Sequence, residues 1–421
     1  MTVSPYRSSH LRLILCFILF PLMQLKAQVA KPGLQSGYWR ASILRADGNP
    51  IVFLFQVSAV SGKKIIRVIN GSEKLVVDQV RQKADSVYID MPFFDSHFAL
   101  RMTDKHTLKG DWIKYSGEKK TVVPFEAVYQ DNRPARFPAR NPPRYDISGR
   151  WSALFTGKDD TTAAVGEFRQ KGSDVKGTFL TPTGDYRYLD GVVDGDTLIL
   201  SAFDGGHAYS FVSLISDSRN MSGHFYSGAA SVEQWTGAKN DSASLPDEYG
   251  LSHLRDSLNA VPRFRFPDLQ GHMISLSDPR YKNKVVILQM LGSWCPNCMD
   301  ETGFLSPWYD KNRSRGVEVI GLAYERTANT RKITELLQPF VKRFSVKYPI
   351  LITGALTSDS LRSQKTIPEI DQIAGFPTTI FLDKKGEIRK IHTGFNGPGT
   401  GAHYTEYIRE FNTLVDRLLA E

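Results

Sequence analysis

Hydrophobic positions along the chain follow two rhythms. Over residues 34–237 they alternate with polar ones in short runs broken by turn residues, which is the period of half-buried strands. The runs 51–57, 64–69 and 197–200 are β-like, and Asn70-Gly71, Asp194-Gly195 and Asp204-Gly205 are turn signals. From about Val261 strands alternate with helices. Residues 285–291 are apolar but for Gln289, as a strand covered on both faces would be. A helix is predicted from Pro296, then a strand over 317–323. In the next helix Ile333, Leu336, Leu337, Phe340, Val341 and Phe344 fall at helical spacing. Strands are predicted over 348–352, 378–383 and 388–392. A last helix should bury Tyr407, Ile408, Phe411, Leu414, Val415 and Leu418, and a short helix is predicted over 249–260.

The strand-rich half carries an internal echo. Gly37-Tyr-Trp39 recurs as Gly149-Arg-Trp151, and the runs 85–89, 94–97 and 108–110 recur at 196–200, 203–207 and 221–223. The offset stays between 109 and 113 residues, which points to duplication. The expected architecture is multidomain, with two tandem β-rich domains (each a sandwich or small barrel) before an α/β domain. The boundaries read as 28–131 for the first repeat, 132–146 for a stiff Pro/Arg linker, and 147–237 for the second repeat. A polar linker over 238–260 and the α/β domain over 261–421 follow.

Residues 1–27 have the make-up of a secretory signal cleaved after Ala27. Arg7, His10 and Arg12 form a basic start, 13–25 an apolar core, and Leu25-Lys26-Ala27 a cleavage site. The apolar stretch is short for a bilayer span and contains Pro21; an uncleaved anchor is the alternative. Cys16 lies here without a lipobox before it. The formal charge of +9 includes Arg7, Arg12 and Lys26, and the remaining Lys and Arg are spread thinly. Without a basic patch, and with export expected, nucleic acid is not an expected partner.

Beyond Cys16 the chain has only Cys295 and Cys298. An exported protein stapled by disulfides carries more cysteines at wider spacing, so one close pair points to chemistry. In a helix opening at Cys295 the second sulfur lies one turn inside, near enough to close a small ring. Pro296 fits the first helical turn, where no hydrogen bond is lost. Helix-end amides favour a thiolate, but the dipole supplies about 0.3–1 kcal/mol, whereas one pKa unit needs about 1.4 kcal/mol. Strong activation of Cys295 therefore needs direct hydrogen bonds. Trp294 is expected to shield the sulfur and contact substrate. A structural zinc site wants four ligands, and the chain has no second pair.

Trp294, Cys295, Pro296, Asn297 and Cys298, followed by the run 375–383, resemble the TlpA/ResA family of extracytoplasmic thioredoxin-like proteins. Phe266-Pro-Asp-Leu-Gln-Gly271, Leu276 and residues 284–288 are similar to that family's opening. The likeness covers about 261–421 and implies a thioredoxin fold. It also implies Cys295 as attacking cysteine, Cys298 as resolving cysteine, and Pro377 as a cis-proline turning the Phe376 backbone toward the disulfide and a substrate strand. Thioredoxin has a buried Asp six residues before its first cysteine; this chain has Gln289, which cannot carry a proton. Glu325 and Glu301 fall near family glutamates, Glu325 being the preferred proton carrier. The family's helix proline is replaced near Gly303.

The expected function is a secreted or periplasmic thiol–disulfide oxidoreductase of reductase type, without cofactor or metal. It would act on a protein or small-molecule disulfide and, as the resemblance implies, draw on a membrane thiol donor. The alternatives are a peroxiredoxin-like thiol peroxidase, or an envelope binding protein with a redox appendage. A peroxidatic cysteine normally follows a Pro-x-x-x-Thr-x-x-Cys run, and 289–294 contain neither Pro nor Thr. His97 and His207 are expected in strand-end turns, and Trp39 and Trp151 as core anchors. The glycine-rich stretch 393–401 fails as a phosphate loop and is expected to be a flexible connection near the substrate groove. Nothing in the sequence speaks to oligomeric state.

Overall fold

The computed structural model describes residues 1–4, 33–245, 250–255 and 260–421. Residues 5–27 of the proposed signal segment, with its cleavage site and Cys16, lie outside the described residues. No helix among the described residues is long and apolar enough to cross a membrane.

The alternating half forms two nine-stranded antiparallel sheets among the described residues. In the first, Gly37–Ile43 pairs with both Ile51–Val60 and the last strand, Lys119–Gln130. Its edge strands, Glu73–Val77 and Gln79–Lys83, are consecutive in the chain, so the sheet curls round on itself. In the second, Thr161–Lys171 pairs with both Gly149–Thr156 and Asp174–Thr181, which closes a barrel. Period-2 alternation explains the interiors. Along Gly149–Thr156, Trp151, Ala153 and Phe155 are buried while Ser152 and Leu154 face out. Trp39 and Trp151 are fully buried, and each indole donates to the carbonyl four residues back, of Gln35 and Ile147.

The stretch 132–146 contains no helix or strand, and side chains within it are packed against both sheets. Arg136 is buried, donating to the carbonyls of Ser201 (2.7 Å) and Ile69, with Asp190 at 3.7 Å. Phe137 packs on Val52 and Val192, one from each sheet. The sheets also share an aromatic contact, Phe53 stacking on Phe203 at 4.2 Å.

The C-terminal part is a five-stranded sheet in the order Ile350–Ile352, Val317–Ala323, Val285–Leu291, Thr378–Leu382, Ile388–Thr393. The first three are parallel; Thr378–Leu382 runs antiparallel to Val285–Leu291, and Ile388–Thr393 antiparallel to Thr378–Leu382. Helices α1 (Pro296–Asn312), α2 (Thr330–Phe344) and α4 (Ala402–Ala420) complete the expected thioredoxin-like order, and α3 (Arg362–Thr366), between the third and fourth strands in the chain, is an element the sequence did not predict. Every residue of Val285–Leu291 is buried. Val285, Ile287 and Leu291 join the core of Phe304, Leu305 and Phe411, while Val286, Leu288 and Met290 join that of Ile320, Ile367 and Ile380. Pro307 lies within α1, four residues after Gly303, and the helix continues to Asn312.

One predicted element is corrected. Of 249–260, Tyr249 and 256–259 lie outside the described residues, and Leu254 forms a β-bridge with Ile370 instead of helix. Arg255 is held by the carbonyls of Pro368 and Ile370, long-range partners that outweigh a weak local helix signal.

Candidate active site

The strand Val285–Leu291 delivers its C-terminal end to α1, and the cysteines sit at that junction. Cys295 is the N-cap, in extended conformation, and Pro296 occupies the first turn. Cys295 and Cys298 form a disulfide with Cα atoms 5.3 Å apart. The Cys298 amide points at Cys295 Sγ at 3.1 Å, so the helix end supplies a direct hydrogen bond beyond the dipole.

Opposite lies the Phe376–Pro377 peptide, which is cis, with the Phe376 carbonyl oxygen 3.5 Å from Cys295 Sγ. Trp294 is fixed by its indole, which donates to the Tyr324 carbonyl at 2.9 Å. Its ring meets Phe376 edge-on at 5.5 Å, and the Arg326 guanidinium lies 4.4 Å from it. Asn297, between the cysteines, donates from Nδ2 to the Phe395 carbonyl at 3.2 Å. The 393–401 stretch therefore borders the site, and with Phe395 and Thr400 buried it is packed rather than loose.

Both carboxylates are buried beside the pair. Glu325 accepts from the Ser293 amide (2.7 Å) and hydroxyl (2.8 Å). Burial pushes its carboxyl up to about 7, against the pull of these bonds and Arg326. Glu301, one turn past Cys298, accepts from Gln289 Nε2 (2.8 Å), Thr379 Oγ1 (2.5 Å) and Tyr407 OH (3.3 Å). Burial pushes it too up to about 7, although its three donors pull the other way. Gln289 also accepts from Tyr348 OH at 3.0 Å. Gln289 and the Glu301 carboxyl on α1 thus share one polar cluster.

Sequence reasoning missed Ser293, Asn297, Thr379 and Tyr407. Only Asn297 carried a signal, standing between the cysteines; Tyr407 was legible as core but not as a donor. His207 binds Asp204 across a turn, with Nδ1 3.1 Å from Oδ2, whereas His97 is the second residue of the strand Ser96–Asp104 rather than part of a turn, with its ring on Tyr115.

Comparison with known proteins places this site in context. A family model described as AhpC/TSA family matches residues 258–391. A thiol-disulfide oxidoreductase ResA of Bacillus thuringiensis subsp. konkukian is 30% identical over 150 residues, 36% of this chain and 75% of the relative. The ResA of Geobacillus kaustophilus is 29% identical over 136 residues, 32% of this chain and 68% of that one. A thioredoxin-family thiol:disulfide interchange protein from Chlorobium tepidum superposes with a TM-score of 0.30 at 20% identity, covering 39% of this chain and 99% of that chain.

Proposed function

Since the chain belongs, through its C-terminal part, to the ResA-like thiol–disulfide oxidoreductases, we propose that Cys295 and Cys298 are its redox pair and that it reduces disulfides outside the cytoplasm. In the reduced enzyme the Cys295 thiolate attacks a substrate disulfide, forming a mixed disulfide and releasing one substrate thiolate. Cys298 then attacks Cys295 Sγ; the second substrate thiolate leaves, and the enzyme holds the two-electron oxidised pair. A thiol donor at the membrane returns two electrons, a part taken from the family resemblance. Trp294 and Phe376 would flank the substrate, with Pro377 holding the Phe376 backbone at the sulfur. The observation that carries this reading is the Cys295–Cys298 disulfide at a helix N-terminus, where the N-cap sulfur of Cys295 already accepts from the Cys298 amide.

Glu325, bound to Ser293 two residues before Cys295, is the preferred proton carrier, and Glu301 the second candidate. The export reading rests on the 1–27 pattern. Residues 28–131 and 147–237 are read as duplicated domains, supported by the matching indole bonds of Trp39 and Trp151; they would make an envelope binding module beside the redox domain.

Trapping with Cys298→Ser tests the function. A mixed disulfide of Cys295 with envelope proteins is expected, and its absence while Cys295 can still be alkylated would sink the reductase reading. The AhpC/TSA match favours a second reading, a thiol peroxidase. Peroxide turnover that survives Cys298→Ser would select it.

A further inference from the structure

The disulfide is nearly sealed: Cys295 is 3% exposed and Cys298 0%. Part of the cover comes from far upstream, from the turn over 181–185 joining the strands Asp174–Thr181 and Gly184–Asp185. Thr181 Oγ1 donates to the Gly184 carbonyl at 2.9 Å and shapes this turn. Its tip touches all three segments around the sulfurs. A Cβ on Gly184 would collide with the Asn297 amide; one on Gly375 would lie 2.6 Å from Thr183 Cγ2, and one on Gly394 2.9 Å from the Thr183 carbonyl carbon. These are the spacer between the cysteines, the neighbour of Phe376 and the neighbour of Phe395.

Two polar latches hold the turn down. Asp185 accepts from the Gly397 amide at 2.7 Å. Arg187 grips Asp300 on α1 through two bonds, at 2.8 and 2.9 Å, and binds Glu73 of the first sheet at 2.6 Å. Burial raises Asp300 to about 7, while Asp300, Glu73 and Asp204 raise Arg187 against the desolvation that would lower it. The bidentate geometry is that of a charged pair.

We propose that the 181–185 turn is a specificity element of the redox site. It fills the groove where an extended substrate strand would meet Phe376, so that only a partner able to displace it reaches Cys295. This deepens the reading of Cys295–Cys298 as a pair exchanged with protein partners, and rests on it. The turn excludes generic protein disulfides without changing the sulfur chemistry beneath. A displacing partner must supply a strand small enough at its centre to clear Asn297, as Gly184 does.

The test uses the full chain and two variants outside the redox machinery. Gly184→Val wedges the turn away from Asn297, and Asp185→Ala removes the Gly397 latch. The readout is the rate at which iodoacetamide alkylates Cys295 in the reduced proteins, followed by mass spectrometry, with a cooperative thermal transition as proof of folding. Both variants should react about tenfold faster than wild type, since local opening no longer limits access. Rates within about twofold of wild type in a folded variant would overturn the proposal; if Gly184→Val does not fold, Asp185→Ala decides. Insulin disulfide turnover separates this from the reading beneath it. Faster alkylation with no insulin turnover by any form keeps the cap and removes the reductase reading; faster turnover in both variants supports the two together.

Discussion

Two glutamates flank the cysteine pair, and burial holds both carboxyls near 7. Each binds its proton more tightly folded than unfolded, where the reference is 4.5. Their contribution to stability is therefore full below about 4.5 and is lost as pH rises through about 7. For Glu301 the shift corresponds to at most about 3 kcal/mol. Glu301→Gln should accordingly flatten the fall in stability between pH 5 and 8, measured by denaturant unfolding; Glu325 keeps the flattening partial. An equal slope in wild type and variant would mean that Glu301 is ionised throughout. Proton transfer is separable from this. Glu325→Gln should remove the limb near pH 7 from the rate profile of disulfide exchange, whereas Glu301→Gln should keep it. Gln289 was legible as a departure from thioredoxin. That Glu301 and Thr379 gather round it was not, because residues on one helix and two strands meet only when the sheet forms.

Among elements, those with strong periodicity were readable almost to the residue. Val317–Ala323 and the apolar positions of α2 follow from pattern alone, because each element buries one face or both. Weak signals failed where distant partners intervened, as at Leu254. The 132–146 stretch shows the same effect: its prolines foretold irregular backbone but not the burial of Arg136. Burial lowers that guanidinium to about 10, with Asp190 opposing. Arg136→Ala would take the guanidinium from the Ile69 and Ser201 carbonyls and leave Asp190 with only the Gly71 amide. A loss of about 3 kcal/mol in unfolding free energy is expected, and a loss below about 0.5 kcal/mol would mean the stretch is a spacer after all.

Across the whole molecule, the first sheet packs against the redox domain through Phe93 on Phe344 at 5.6 Å and Lys332 with Asp95 at 2.8 Å, while Arg187 joins both sheets to α1. Arg187→Ala strands Glu73, Asp204 and Asp300 together in a buried site, and should cost about 3–5 kcal/mol in denaturant unfolding. An unchanged midpoint would show that the parts are energetically independent. The sequence by itself determined the strand-rich half, the α/β order and the cysteine pair at a strand-to-helix junction, whereas the place of Pro377 was implied by the family resemblance. These depend on local period, capping and spacing, which neighbouring residues encode. Only the tertiary structure decided which sheet edges close, which carboxyl lies against Gln289, and that a turn from the second barrel lies across the disulfide. Those contacts join residues far apart in the chain, where close packing rather than local pattern selects the partner. The cysteine pair was therefore visible in the sequence, but its enclosure was not.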